Sequence, residues 1–64
     1  MSNTTMQANH YLFVAEDSAG RSILEKWIAA TSYAVAREIA WNEIKRADME
    51  DYVASIECIE VKPV

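Results

Sequence analysis

The chain has 64 residues, 52% of them hydrophobic and 25% charged, and a formal net charge of −4. That is room for one domain with a core of its own, which excludes intrinsic disorder, while the acidic balance disfavours direct DNA or RNA binding because the molecule's field repels phosphates. One cysteine, Cys58, and one histidine, His10, exclude an internal disulfide and fall short of the four ligands of a structural zinc site, so neither metal nor cofactor is expected.

The single cysteine points to a reducing compartment. No apolar run approaches a membrane span, and the start Met1-Ser2-Asn3-Thr4-Thr5-Met6 lacks the cationic and apolar parts of a signal peptide. A cytoplasmic protein without membrane contact is expected.

Residues 1–9 are polar and aperiodic and read as a flexible tail; the domain is expected over residues 10–64. His10-Tyr11-Leu12-Phe13-Val14-Ala15 is an aromatic and β-branched run of strand length. Asp17-Ser18-Ala19-Gly20-Arg21 follows, where Asp opens a type I turn and Gly20 supplies the positive φ of a G1 bulge. Residues 22–30 fit two readings. Apolar positions 23, 24, 27 and 28, with Ser22 and Glu25 as a capping box, suit a helix. The hairpin chemistry before them demands a second strand, with Leu24, Ile28 and Ala30 on one face and Ile23, Trp27 and Ala29 on the other. The strand is the reading adopted.

Thr31 or Ser32 can cap a helix expected over residues 33–46. Tyr33, Ala36, Ile39, Ala40, Ile44 and Ala47 gather on one side of it, Glu38, Asn42, Lys45 and Arg46 on the other. Small Ala36 and Ala40 let its axis approach a sheet, and Lys45 and Arg46 suit the negative end of the helix dipole. Residues 52–62 alternate as a third strand whose phase slips at Cys58-Ile59, the signature of a bulge or of a second apolar face; Pro63 ends it. Strand directions then give an α+β domain, ββαβ, with a three-stranded antiparallel sheet in the order 2-1-3 and the helix on one face.

Two surfaces stand out as candidate sites. If Leu12, Val14, Leu24, Ile28 and Ile56 face the helix, then Tyr11, Phe13 and Trp27, with Ile23, Ile59 and Val61, form an apolar sheet face that would serve as a homodimer or partner interface, unless bulges or the tail cover it. The acids form the other: Asp48, Glu50 and Asp51 cluster after the helix, and Glu57 and Glu60 follow in the last strand. Aligned carboxylates can imitate DNA phosphates and capture a basic protein surface, although an ordinary solvated face is the plainer reading for any one of them. Tyr33, Arg37 and Trp41, four apart on the helix, read as a packing ladder at its rim.

Nothing in the chain assembles a catalytic group. His10 has no nucleophile beside it, Cys58 lies in an apolar alternation without a cationic neighbour, and a domain this thin has hardly any room for a pocket that would tune a carboxylate. Asp48-Met49-Glu50-Asp51 lacks the glycine and terminal glutamate of an EF-hand. A protein that binds rather than reacts is expected.

The run from Trp27 to Ala40, a strand ending in small residues and a Thr31-Ser32 cap before Ala36-Arg37-Glu38-Ile39-Ala40, resembles a pattern common in very small phage-encoded proteins. Among these it is similar to type I anti-CRISPR proteins, and length and acidity bring it near the type I-C inhibitors. The likeness covers roughly residues 11–61. It implies stoichiometric inhibition: binding to a subunit of the Cascade surveillance complex in the host cytoplasm and blockade of target DNA at the basic site that reads the PAM-side duplex. No residue carries over by motif, so the acidic set above is chosen on charge.

Overall fold

The computed structural model describes residues 7–64. The expected tail, residues 1–9, lies mostly outside the described residues, and Asn9 already belongs to the first strand. The elements are β1 (Asn9–Glu16), β2 (Ser22–Ala30), α1 (Tyr33–Arg46) and β3 (Ser55–Pro63). Both pairings of β1 are antiparallel and the sheet order is β2-β1-β3, so the domain is the α+β ββαβ fold with β1 at the centre.

Asp17 closes the hairpin. Its backbone carbonyl accepts from Gly20 N–H at 2.9 Å, its Oδ1 accepts from Ala19 and Arg21 N–H at 3.0 and 2.9 Å, and Gly20 sits at φ +82°. That turn returns the chain as a strand, so residues 22–30 pair with β1 and the Ser22–Glu25 capping box goes unused.

Ser32, in extended conformation, accepts from Val35 N–H at 3.2 Å and starts α1 at Tyr33. The helix ends in a Schellman arrangement: Asp48 N–H donates to the Lys45 carbonyl and Met49 N–H to that of Ile44, each at 3.0 Å. This closure needs a left-handed residue, and Asp48 supplies it at φ 60°. A glycine would fit there more easily, and a carboxylate at the negative end of a helix is misplaced. The chain then turns again, Tyr52 N–H donating to the Met49 carbonyl at 2.9 Å, before Ala54 N–H reaches the Glu16 carbonyl at 2.8 Å. The third strand therefore starts at Ser55 and not at Tyr52, whose ring is exposed.

The core lies between α1 and the sheet. Tyr11, Phe13, Ile28, Ala30, Ala36 and Ala40 form one buried cluster, with Ile39, Ile56 and Cys58 packed against it. Phe13, Ala36, Ala40 and Ile44 are fully buried. The alanines bring the helix close over the aromatic residues of β1, and Tyr33 adds ring contacts, edge-on to Tyr11 with centroids 6.3 Å apart and tilted against Phe13 at 5.8 Å.

This corrects the expected faces. Tyr11 and Phe13 lie under the helix, while Leu12 and Val14 lie on the opposite face. The reason is a bulge in β2: Ala15 pairs with Leu24 and Glu16 with Ser22, leaving Ile23 extra, so the hairpin register slips by one and Tyr11, not Leu12, shares a face with Ile28. Ala47 also leaves the apolar side of the helix and becomes its exposed C-cap.

Two stability outcomes follow. Phe13→Ala should cost about 3–5 kcal/mol, a large share of what a domain of this size has; a cooperative thermal melt within about 1 kcal/mol of the parent would contradict the core placement. Asp48→Gly should stabilise by about 1 kcal/mol, relieving the left-handed residue and the dipole conflict, and raise the melting temperature by about 4–8 °C. A lowered melting temperature would show that the Asp48 side chain contributes something to the turn beyond its backbone.

Candidate functional site

Among the described residues no element packs on the sheet face opposite α1. Cross-strand pairing lays out that face in rows. Glu25, Val14 and Glu57 form one row; Trp27, Leu12 and Glu60 the next; Ala29, His10 and Lys62 the third. Leu12 and Val14, at 7% exposure each, are the dry floor, and longer side chains from the two outer strands rise around them. The Lys62 ammonium lies 5.1 Å from the centroid of the Trp27 ring. Because Lys62 stands on β3 and Trp27 on β2, this contact spans the central strand. The same ammonium is 3.7 Å from Glu60 Oε2.

The pairing of Glu57 with Glu60 depends on one backbone irregularity. Residues three apart in a regular strand point to opposite faces. Here Phe13 pairs with Cys58 and Leu12 with Glu60, so Ile59 is extra and the register shifts. The bulge turns Cys58 inward against the core and brings Glu57 and Glu60 onto the same face at consecutive positions, about 7 Å apart along the strand. Glu25 stands across the sheet from Glu57, two strand spacings or about 10 Å away. The ion pairs among the described residues are Arg21–Asp17, Lys26–Glu43, Arg46–Glu43 and Lys62–Glu60. Glu25 and Glu57 are thus exposed without a cationic partner among those residues.

The five acids expected as one surface are split. Glu57 and Glu60 lie on the open face. Asp48, Glu50 and Asp51 lie in the connection after α1, all exposed, and Asp51 lines a hollow at the hairpin end with Asp17, Ser18, Ile23 and Tyr52. Of the three apolar anchors, Trp27 alone is on the open face, 41% exposed; Tyr11 and Phe13 are beneath the helix. Glu25 and Lys62 are the residues that sequence reasoning missed. Glu25 shares the parity of Trp27 in β2, which was a usable signal, whereas the position of Lys62 depends on the bulge at Ile59.

A second concavity lies on the helix side. Helix α1 packs over β2 and β1 and does not reach β3. The gap is an open groove of about 660 Å³ between the Tyr33, Arg37 and Trp41 flank of the helix and residues Val53 to Ile56. These three side chains therefore border a groove where rim packing was expected. Among the described residues that line it, Arg37 and Glu38 are the charged groups.

Further features bear on chemistry and location. Cys58 is half-buried, and its thiol donates to the Glu60 carbonyl at 3.4 Å. Among the described residues no group of three His, Cys, Asp or Glu side chains is placed to hold a metal ion, and no helix is long and apolar enough to cross a membrane. Comparison with family models, curated proteins and solved structures gives no match to this chain.

Two carboxylates away from the open face titrate low. Asp17 is held below its ordinary 3.8 first by the Arg21 N–H, against an opposing desolvation cost, with the Ala19 N–H and the Arg21 guanidinium assisting. Glu43 is held below its ordinary 4.5 first by the hydrogen bond from the Lys26 ammonium at 3.1 Å and then by its charge. Because both values are depressed in the folded state, the stability they contribute is fully present above their ordinary values and is lost as pH falls through the folded ones. Lys26→Met should therefore flatten the fall in melting temperature between about pH 5 and pH 3. An unchanged slope would show that the Lys26–Glu43 pair contributes nothing to acid sensitivity.

Proposed function

We propose that the chain is a non-enzymatic inhibitor that sets its open sheet face against a basic protein surface and so excludes nucleic acid from it. The resemblance to type I anti-CRISPR proteins supplies the target: a DNA-reading subunit of the Cascade surveillance complex, met in the host cytoplasm. The observation that carries the proposal is the bulge at Ile59, which puts Glu57 and Glu60 together on the face that also bears Glu25 and Trp27. The strands fix the backbone beneath the carboxylates before binding, and the half-exposed Trp27 beside them is an aromatic that a partner can bury as an anchor. The net charge of −4 supports the reading through long-range attraction to a basic groove.

The homodimer alternative loses two of its three anchors, since Tyr11 and Phe13 are under the helix. The bulge, Pro63 and the charges on β3 also blunt strand-to-strand pairing between copies. We therefore do not carry that alternative forward. The acids of the 48–51 connection take a supporting part in the proposal, as a source of steering charge.

The test is a titration of a reconstituted type I Cascade and its target duplex with this protein. Duplex binding should fall stoichiometrically at low salt, and the inhibition, measured against the uninhibited complex at the same salt, should shrink as salt rises. Glu57→Lys with Glu60→Lys should weaken inhibition at least about tenfold, and Asp48→Lys with Glu50→Lys and Asp51→Lys should weaken it less. Undiminished inhibition by the Glu57/Glu60 variant would overturn the open-face reading, and no inhibition by the parent chain would overturn the choice of target.

A further inference from the structure

We infer that Trp27 and Glu60 form a receptor for an arginine side chain of the basic partner, and that Lys62 occupies it in the free protein as a built-in competitor. This rests on the open-face reading above and adds to it a partner residue and a means of regulation.

A cation is already seated at the site. The Lys62 ammonium sits 5.1 Å from the Trp27 ring centroid and 3.7 Å from the Glu60 carboxylate, so an aromatic face and a carboxylate converge on one positive group. Glu25, two residues before Trp27 on the same face, adds a second carboxylate at the ring's flank with no cation of its own among the described residues. The lysine is a loose guest: its side chain remains 60% exposed, the Trp27 residue 41%, and the 3.7 Å separation is long for a charge-assisted hydrogen bond. An ammonium is a compact, strongly hydrated charge. A guanidinium is planar and more weakly hydrated, can stack on the indole and can engage a carboxylate through two N–H groups. An arginine from a partner is thus the better-matched occupant, and its entry requires the Lys62 stem to swing off the central strand. The charge of the face complements such a partner, since Glu25, Glu57 and Glu60 stand on the same face as the ring.

The test uses the full chain with Trp41→Phe, so that Trp27 is the only tryptophan and can be excited apart from the three tyrosines, and a nine-residue oligo-arginine peptide as the probe at low salt. Lys62→Ser should tighten binding by about threefold more than Lys45→Ser, which removes the same charge from the exposed last turn of the helix. Lys62→Arg, with unchanged net charge, should weaken binding, because the internal guest then matches the site. An oligo-lysine peptide of equal length should bind more weakly than oligo-arginine, and Trp27→Ala, followed by titration calorimetry because it removes the reporting indole, should erase that difference. Equal effects of Lys62→Ser and Lys45→Ser, or a Lys62→Arg variant indistinguishable from the parent, would overturn the inference. If binding in that case still disappears on Glu57→Lys with Glu60→Lys, the open-face reading stands and only the competitor falls. Thermal melts of each variant exclude unfolding as the cause of any loss.

Discussion

The close seating of α1 on the Tyr11–Phe13 pair of the central strand is the contact on which everything else in this molecule depends. Ala36 and Ala40 have almost no side chain to hold the helix away, so it settles onto the larger residues of β1 and leaves Phe13 with no exposed surface. Strand alternation then leaves no freedom elsewhere. Once Tyr11 and Phe13 point at the helix, Leu12 and Val14 must point away, and the residues paired with them from β2 and β3 follow. One helix covers one face of a sheet, which leaves the other face open, and a three-stranded sheet is wider than one helix, which leaves the groove over β3 that α1 does not reach.

Two bulges adjust this frame, and each makes an isoleucine the extra residue. Ile23 shifts β2 so that Trp27 pairs with Leu12 on the open side. Ile59 shifts β3 so that Glu57 and Glu60 stand together there while Cys58 turns inward. Without the second bulge the two carboxylates would sit on opposite faces, and the acidity of the last strand would be divided between core and solvent. A bulge leaves some backbone unpaired and bends its strand, a modest cost here because β3 is an edge. The open face combines a dry floor of Leu12 and Val14 with a rim of charge, an arrangement suited to contact with another macromolecule.

Much of the fold was legible in the sequence. Asp17 and Gly20 announced the hairpin, the Thr31-Ser32 pair the start of the helix, with Ser32 the residue that caps it, and the antiparallel order 2-1-3 followed from strand directions alone. The slip at Cys58-Ile59 was visible as a change of parity. What could not be read was which face of β1 the helix would choose, because Leu12 and Val14 are as apolar as Tyr11 and Phe13. The register of the hairpin hid the answer: counting back from the turn pairs Leu12 with the face of Ile28, and the bulge at Ile23 is a backbone event with no marker residue such as glycine. The acidic set was likewise chosen on charge, which cannot tell the connection at Asp48 to Asp51 from the face carrying Glu57 and Glu60. Glu25 went unnoticed because it is isolated in sequence and meets the others only through the sheet.

The central claim is that the protein meets a basic partner with the face opposite its helix. Two-dimensional amide NMR of the labelled chain during titration with a basic partner peptide tests it most directly, since every strand residue reports separately. Shifts are expected to concentrate at Glu25, Trp27, Glu57, Glu60 and Lys62, with Tyr33, Arg37 and Trp41 unmoved. Shifts centred on the groove between α1 and β3, with the open face silent, would contradict it.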